Sequence, residues 1–405
     1  MNQPALLSGL RILAFTHYVQ GPAAMQYLAD MGADVIKVEP VGGAWERHRV
    51  AGRQYGGASA TYIGCNRNVR SLALDLKSPA AKEIIHNIVA NCDAVAENYR
   101  IGVLDRLGFG FDDLKAIKPD LIYASATGWG ANGPMSGSAG QDLLAQARSG
   151  LIGTTGTYDR PTAVGTALVD QHAATLMALG ILGAYVRKLR SGQGCRVESN
   201  LLMAGLDLQM ESIGLWFAGE GDKKRLQRGP HVATWLHDAP YGVYKLADCH
   251  AVISLGPNAG KLVEALSPSP LDSLAADARR HDRDGFANIV AERVAPMRWE
   301  ELKAWLEPHG LWCERVAADF DEVIDDPQVQ ACGAFELLET PEAKLPLLAH
   351  PIQYDGTRPA LRHMAWQAGS DSENVLLEAG YSQADIERFA AGKIVGLPLE
   401  SRSQS

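Results

Sequence analysis

The sequence lacks the cysteine and histidine patterns of a disulfide framework or a zinc site. Its 405 residues include six cysteines, with no C-x-x-C pair and no Cys/His cluster at the spacing of zinc ligands. The cysteines therefore indicate reduced thiols, and we expect no metal site. They are Cys65, Cys92, Cys195, Cys249, Cys313 and Cys332.

An excess of positive charge and a membrane-length apolar run are also missing. The 47 acidic residues outnumber the 38 basic ones, giving a net charge of -9, which disfavours a nucleic-acid or anionic-membrane partner. The apolar stretch 173–186 ends at Arg187 and is shorter than the roughly 20 residues of a membrane span. The first residues lack a basic region followed by a sustained apolar run. We expect a cytoplasmic globular protein whose partner is a small molecule.

Two common catalytic signatures are absent as well. No G-x-S-x-G segment occurs, which argues against a serine hydrolase of the α/β type. The segment LGFGFDD, residues 107–113, lacks the third glycine of a dinucleotide-binding loop. The candidate functional residues must therefore be found by their positions at strand ends and helix starts and not by a standard motif.

What is present is a regular alternation of strand and helix patterns. Short apolar runs alternate with segments whose apolar residues recur at helical spacing. This alternation predicts a doubly wound α/β fold with parallel strands and right-handed crossovers. The predicted order is strand 11–15, helix 22–31, strand 34–38, helix 79–91, strand 94–97, a mostly helical stretch 103–118 and strand 121–125.

The chain is also long enough for more than one domain. A polar, charged stretch near residue 220 is typical of a linker, and short alternating strands follow it from Tyr241. We therefore predict a large domain over residues 1–224, a smaller domain over 225–330, and a helical C-terminal segment, 331–405, that returns to the large domain.

Two aspartates stand at the predicted starts of helices, each behind a glycine-bearing loop. Asp170 precedes a long apolar helix and Asp142 opens a shorter one. Aspartate is a favoured N-cap residue, and capping is the commoner role for such a residue. A helix N-terminus also stabilises an anion, so a carboxylate there could remain ionised and serve as a nucleophile. The two roles are compatible, and the two carboxylates could share one cleft.

Basic residues follow two predicted strands at the sheet edge where α/β proteins bind ligands. His17 lies in the loop after the first strand, and Arg100 and Arg106 follow the strand 94–97. Each could be an ordinary loop or surface residue, but two arginines within seven residues could also clamp phosphates.

Long segments of the chain resemble the class III CoA-transferase family, also called the carnitine-racemase/bile-acid CoA-transferase family. The resemblance covers nearly the whole chain in order, and the loop FTHYVQGPA is particularly similar to that of formyl-CoA transferase. The segments that carry it include GLRILAFTHYVQGPAAMQYLADMGADVIKVEP, NRNVRSLALDLKSPAAKEII, AENYRIGVLDRLGF, ATGWGANGP and AGQDLLAQARSGL.

The resemblance implies a Rossmann-like large domain, a smaller α+β domain and an interlocked, ring-like homodimer. It implies a CoA thioester and a small organic acid as substrates, with no permanently bound cofactor. It places the catalytic aspartate at Asp170, with Asp142 and Gln141 beside it. The implied CoA-binding residues are His17, Val19, Gln20, Leu74, Asp75, Lys77, Asn98, Tyr99, Arg100 and Arg106.

The family reaction is expected to run through an acyl-aspartyl anhydride and an aspartyl-CoA thioester, with backbone N–H groups near the helix start stabilising the oxyanions. Succinyl-CoA is the expected donor. Racemising members carry a G-H-D motif, which reads Gly140-Gln141-Asp142 here. Because glutamine cannot act as an acid or base at neutral pH, racemisation or epimerisation is disfavoured. A non-catalytic acyl-CoA binder is the remaining alternative.

The second anionic group of a dicarboxylic acid would need a cationic or hydrogen-bonding wall. Surface exposure explains each of the available side chains equally well. The candidates are Arg47, His48, His172 and His237.

Overall fold

The structure, a computed structural model, describes residues 5–48, 53–254, 261–262, 278–340 and 342–398. It divides into two units: residues 1–145, 167–204 and 331–405 form the first, and residues 146–166 and 205–330 form the second. Residues 146–166 and 205–224, which were predicted to belong to the large domain, have their contacts within the second unit. Residues 331–405 group with the first unit.

The strands follow the order expected from the alternating pattern, with short hairpins added. In chain order they are β1 (Arg11–Phe15), β2 (Asp34–Glu39), β3 (Gln54–Tyr55), β4 (Ala58–Ser59), β5 (Arg70–Leu74), β6 (Ala94–Glu97), β7 (Ile122–Thr127), β8 (Gly156–Thr157), β9 (Arg160–Pro161), β10 (Arg196–Asn200), β11 (Gly242–Lys245), β12 (His250–Ser254), β13 (Trp312–Arg315), β14 (Phe335–Glu339), β15 (Lys344–Leu348) and β16 (Val395–Gly396).

Helices connect these strands. They are α1 (Gln20–Asp30), α2 (Ala60–Cys65), α3 (Pro79–Val89), α4 (Val103–Leu107), α5 (Phe111–Ile117), α6 (Asp142–Arg148), α7 (Leu151–Thr154), α8 (Leu168–Ser191), α9 (Leu201–Asp207), α10 (Met210–Leu215), α11 (Lys223–Leu226), α12 (Ala278–His281), α13 (Arg283–Val294), α14 (Trp299–Leu306), α15 (Phe320–Asp325), α16 (Pro327–Ala331), α17 (Ser372–Glu378) and α18 (Gln383–Ala391).

A seven-stranded sheet forms the centre of the first unit, in the order β10-β7-β6-β1-β2-β5-β16. Its strands pair in parallel except at the edge, where β16 runs antiparallel to β5. The chain moves outward from β1 through β2 and β5, then returns to the other side of β1 through β6. The loops after β1 and β6 therefore diverge and open a crevice at the carboxyl edge of the sheet. The α/β class is confirmed, with a mostly parallel sheet; the finer Rossmann-like description stays a prediction.

Both faces of this sheet are covered, which explains why its strands are almost continuously apolar. In β1, Leu13 and Phe15 belong to the cluster that includes residues of α3, α17 and α18. Ile12 and Ala14 belong to the opposite cluster, with residues of α1 and α8. Successive residues of a strand point to opposite faces, so each face receives its own helix layer. Burial of each large apolar side chain contributes about 1.5–3 kcal/mol to the free energy of unfolding.

The second unit has its own sheet and core. Strands β11, β12 and β13 form an antiparallel sheet, and α13 and α14 contribute apolar residues such as Phe286, Val290 and Leu302 to a buried cluster with Tyr244 and Ile253. Across the described parts of both units, no helix has the length and apolar character needed to cross a membrane.

Candidate active site

A cavity of about 700 Å³ lies within the first unit at the carboxyl edge of the sheet. Residues 17–20 after β1 and residues 98–101 after β6 line it, together with the end of β7 and the segment that follows, residues 126–128, 136 and 138–144. Trp45 and Leu201 also contribute. Ala167 and Asp170 at the start of α8 complete the wall. The crevice created by the reversal in strand order therefore contains polar side chains from several segments of the chain.

Most of the site residues predicted from the sequence meet in this cavity. Those that line it are His17, Val19, Gln20, Asn98, Tyr99, Arg100, Gln141, Asp142 and Asp170. Four implied CoA-binding residues do not: Leu74 is buried in the core at the end of β5, Asp75 and Lys77 lie exposed just beyond it, and Arg106 lies on α4.

The two aspartates are linked through the backbone of α8. The Asp142 Oδ1 atom accepts hydrogen bonds from the backbone N–H of Val169 at 2.8 Å and of Asp170 at 3.0 Å. The helix begins at Leu168, and its N-cap, Ala167, supplies no side-chain hydrogen bond. The interpretation of Asp170 as the N-cap is therefore wrong: Asp170 is the third residue of the helix, and Asp142 satisfies its unpaired amides from another segment.

The Asp170 carboxyl is also less acidic than we expected for a helix start. Burial raises its pKa to about 7, and the negative charge of the Asp142 carboxylate contributes to the rise. Loss of solvation penalises the charged form of a carboxyl, and so does a like charge nearby. The expectation that the helix N-terminus holds this carboxylate firmly ionised is not met. Asp170 changes charge near neutral pH.

A close approach of two glycines holds the Asp142 segment in place. Gly128 and Gly140 contact each other through their Cα atoms, so a Cβ atom added to either would overlap the other backbone. The Trp129 Nε1–H group also donates to the Ala139 carbonyl at 3.0 Å. The glycine-rich stretch after β7 thus folds back on itself and delivers residues 141 and 142 to the cavity.

Reciprocal hydrogen bonds hold the other two loops together. The backbone N–H of His17 donates to Asn98 Oδ1 at 2.9 Å, and Asn98 Nδ2 donates to the His17 carbonyl at 2.9 Å. Gly21 permits this pairing, since a Cβ atom there would lie 2.7 Å from Thr16 Cβ and 3.0 Å from Asn98 Cγ. The Asn98 side chain therefore sets the separation of the two loops.

A row of rings forms one wall of the cavity. The His17 ring lies 5.1 Å from Tyr18 and 5.0 Å from Tyr99, and Tyr18 lies 4.9 Å from Trp45. Burial lowers the pKa of His17, so its imidazole is neutral at neutral pH. Tyr18 holds a positive φ of 61°, an uncommon conformation for a bulky residue. Sequence reasoning missed Tyr18 and Trp45, because nothing local marks an aromatic residue as part of a site.

Sequence reasoning also missed Glu97, the last residue of β6, which does not line this cavity but contacts the loop that does. This carboxyl is 9% exposed, and one of its oxygens accepts a hydrogen bond from the backbone N–H of Tyr99 at 2.8 Å. Burial raises its pKa to about 7. Its position directly before the loop 98–101 was the available signal, because an acid at a strand end can accept from the amides that follow it.

The residues considered for holding a second anionic group do not line this cavity. Arg47 is wrong as a candidate, because its side chain is buried and forms a two-point ion pair with Glu39 at 2.7 and 2.8 Å. His48 contacts the carbonyl of Gly42, and His172 is partly buried on α8. In the second unit, His237 contacts Thr234 Oγ1 and stacks on Tyr241.

No group of three or more histidine, cysteine, aspartate or glutamate residues in the described ranges is arranged to hold a metal ion. The cavity instead offers a carboxyl that titrates near neutral pH, a neutral imidazole and one arginine, Arg100, beside an apolar and aromatic wall. Such a set suits attack by a carboxylate on an activated acyl group.

Comparison with known proteins agrees with this arrangement. Residues 7–372 match the family described as CoA-transferase family III. The chain is 37% identical to the succinyl-CoA:glutarate CoA-transferase of Mus musculus over 62% of this chain and 57% of that protein, so it spans little more than half of that relative. It is 30% identical to the succinate–glutarate CoA-transferase of Agrobacterium fabrum, over 92% of this chain and 97% of that one.

The fold comparison points the same way. A CAIB/BAIF family protein from Brucella suis is 26% identical, with a TM-score of 0.79 over 93% of this chain and 100% of that one. The chain belongs to CoA-transferase family III, and it is an enzyme of that family.

Proposed function

We propose that the protein moves CoA from succinyl-CoA to another small carboxylic acid, with Asp170 as the nucleophile. The observation that carries this proposal is the position of Asp170: a carboxyl with a pKa of about 7 that lines the cavity at the sheet edge. The two relatives described above, which are named for succinyl-CoA or succinate and for glutarate, support a succinyl donor.

The first half of the reaction transfers CoA to the protein. The ionised Asp170 carboxylate attacks the thioester carbonyl, the C–S bond breaks, and an acyl-aspartyl anhydride forms with free CoA thiolate. The thiolate then attacks the Asp170 carbonyl of this anhydride. The donor acid leaves as its carboxylate, and Asp170 carries CoA as a thioester.

The second half runs in reverse with the acceptor. The incoming carboxylate attacks the aspartyl thioester and releases CoA thiolate, which gives a new mixed anhydride. The thiolate attacks the acceptor's acyl carbon, so the acceptor leaves as its CoA thioester and Asp170 is regenerated as a carboxylate. No net proton is consumed, and every covalent intermediate on Asp170 is an activated acyl derivative, either an anhydride or a thioester.

The raised pKa of Asp170 suits this role. A carboxylate with a pKa near 7 is more basic, and so more nucleophilic, than an ordinary one, while it is still largely ionised above neutral pH. Asp142 contributes by repulsion to this basicity and fixes the first turn of α8 through two hydrogen bonds. Gln141 lines the same cavity but has no group that can act as an acid or base near neutral pH, which disfavours racemisation at the α-carbon.

The loops around the cavity are proposed to hold the CoA thioester. Arg100 supplies a positive charge at the cavity wall, with Val19 and Tyr99 beside it. CoA is long enough to leave the cavity, so Lys77 and Arg106 are proposed to meet its phosphates outside it.

We further propose that two copies form a homodimer. Helix α8 presents Leu179 and Leu189 with 63% and 69% of their surfaces exposed. Val186, which lies one turn before Leu189 on the same helix, is 44% exposed, and exposed apolar side chains that adjoin on one helix face favour coverage by another chain. The oligomeric state follows from light scattering, where a monomeric mass would contradict the proposal.

The nucleophile is tested with Asp170→Ala and a matched control, Asp159→Ala, which changes an exposed acid outside the cavity. We expect Asp170→Ala to abolish transfer between succinyl-CoA and an acid acceptor such as glutarate, while CoA affinity measured by calorimetry stays nearly unchanged. Asp159→Ala should behave as the wild type. Near-wild-type transfer by Asp170→Ala would overturn the mechanism. Deuterium incorporation at the α-carbon without CoA transfer would instead indicate an isomerase.

A further inference from the structure

The proposed reaction needs hydrogen-bond donors, and two backbone amides at the start of α8 are already in use. Each acyl transfer passes through a tetrahedral intermediate whose oxygen carries negative charge, and enzymes stabilise such an oxygen with donors fixed in advance. The first-turn amides of Val169 and Asp170 already donate to Asp142. The sequence-based expectation that amides at this helix start stabilise the oxyanion is therefore not supported for these two groups, and a side-chain donor on another element can take this role.

The loop after β1 contains an unusual concentration of unsatisfied polar atoms. Thr16 Oγ1, His17 Nδ1 and Gln20 Nε2 are each buried with no hydrogen-bond partner among the described residues. Folded proteins leave few buried polar atoms unsatisfied, and each such atom calls for an explanation such as a ligand or a catalytic role. Three within five consecutive residues indicate that this loop is shaped for a molecule that binds there.

Gln20 is the best placed of the three. The residue is 6% exposed, and it lines the same cavity as Asp170. A carboxamide Nε2 carries two N–H donors, and neither is used by a described residue. The loss of solvation of such a donor costs about 1–3 kcal/mol when it stays unpaired, so its burial at the cavity that Asp170 also lines calls for a compensating role.

The surrounding elements hold Gln20 in a fixed position. It is the first residue of α1, an 11-residue helix whose N-cap, Val19, supplies no side-chain hydrogen bond. The positive end of the helix dipole therefore lies at Gln20. Helix α1 packs against α8, so the first turns of these two neighbouring helices bring Gln20 and Asp170 to one cavity.

We propose that Gln20 is a catalytic residue whose Nε2–H group donates a hydrogen bond to the substrate acyl oxygen as that oxygen becomes an anion. This inference rests on the proposed transferase function. The hydrogen bond strengthens as charge develops and relaxes when the carbonyl re-forms, so no proton is transferred. Gln20 thus acts on the rate of acyl transfer, whereas the family resemblance implied that it binds CoA.

The test separates these two roles through kcat and KM. Gln20→Met keeps the length of the side chain and removes both donors. We expect kcat to fall by about 100-fold, as on loss of one oxyanion donor, while KM for succinyl-CoA changes little. Gln20→Glu should lose more activity, because a carboxylate would face the developing negative charge. A matched control is Gln383→Met, which changes the exposed first residue of another helix, α18, and should leave both constants unchanged.

A rapid-quench measurement tests the role of Gln20 in one half-reaction, the formation of the aspartyl-CoA thioester. Without an acceptor, Gln20→Met should form the aspartyl-CoA adduct about 100-fold more slowly than the wild type. An unchanged kcat, or a rise in KM alone, would overturn the inference even if Asp170→Ala is inactive. Full activity of Asp170→Ala would instead overturn the proposed function. Thermal unfolding of each variant shows whether it is folded.

Discussion

The buried position of Asp170 predicts that the folded protein loses stability when this side chain ionises. Its pKa is about 7 in the folded chain, against an ordinary value of 3.8 that applies in the unfolded chain. A raised carboxyl pKa means that the folded state binds more protons than the unfolded state between these two values. The free energy of unfolding therefore decreases as pH rises from about 4 to about 7, and the loss stays constant above that range.

Asp170→Asn removes this penalty while it preserves the shape of the side chain. One pKa unit corresponds to about 1.4 kcal/mol, so a pKa of about 7 against 3.8 corresponds to an upper value of about 4 kcal/mol. We expect the variant to match the wild type near pH 4 and to be more stable by about 2–4 kcal/mol at pH 8. The nucleophile would then be a group that the fold accommodates at a cost in stability.

The assay is thermal unfolding followed by tryptophan fluorescence, for wild type and variant, at several pH values between 4 and 9. The melting temperature of Asp170→Asn should exceed that of the wild type by a margin that grows up to pH 7 and then stays constant. Asp159→Asn, which alters an exposed aspartate, should show no such margin. A difference between Asp170→Asn and wild type that does not vary with pH would refute the reasoning.

Three further predictions concern the groups around the nucleophile. Asp142→Asn keeps an oxygen that accepts from the start of α8 but removes the negative charge that raises the pKa of Asp170. The rise of kcat with pH, which Asp170 sets, should therefore move to lower pH. An unchanged pH profile would show that the two carboxyls do not interact. Gly140→Ala places a Cβ atom against a facing backbone and should cost about 1–3 kcal/mol of stability and most activity. Gly137→Ala, where the added atom meets open space, should be neutral. Equal effects of Gly140→Ala and Gly137→Ala in unfolding and activity assays would contradict the account. Glu97→Ala should raise KM for succinyl-CoA about 10-fold through the loss of about one hydrogen bond to the following loop. Glu97→Gln keeps the acceptor oxygen and should have the KM of the wild type. A raised KM in both variants would assign the effect to the charge of Glu97 and contradict the role of the hydrogen bond.

The strands and helices around the central sheet could be predicted from local sequence patterns. The strand at Arg11–Phe15 and the strand at Ala94–Glu97 fall where the apolar pattern places them, because strands buried on both faces give an unmistakable apolar run. The helical stretch predicted over 103–118 is instead two helices, Val103–Leu107 and Phe111–Ile117. Gly108, at a φ of 80°, ends the first of them.

Most residues of the site could be predicted from the sequence, but the contacts between them could not. The loops that hold His17 and Asp170 could be placed by the strand order and by family resemblance. The cap on α8, in contrast, comes from Asp142, 28 residues earlier in the chain, and a contact of that kind is invisible to rules that consider neighbouring residues. The burial of Arg47 against Glu39 was hidden for the same reason, since charged residues are ordinarily exposed.

The central claim, that Asp170 carries CoA during the reaction, is tested most directly by intact-protein mass spectrometry. The protein is mixed with succinyl-CoA in the absence of an acceptor, quenched in acid, and digested to locate the adduct. The account predicts a mass gain of one CoA less one water, on the peptide that contains Asp170, and no gain in Asp170→Asn. A CoA adduct on a different residue, or turnover without any adduct in the wild type, would contradict it.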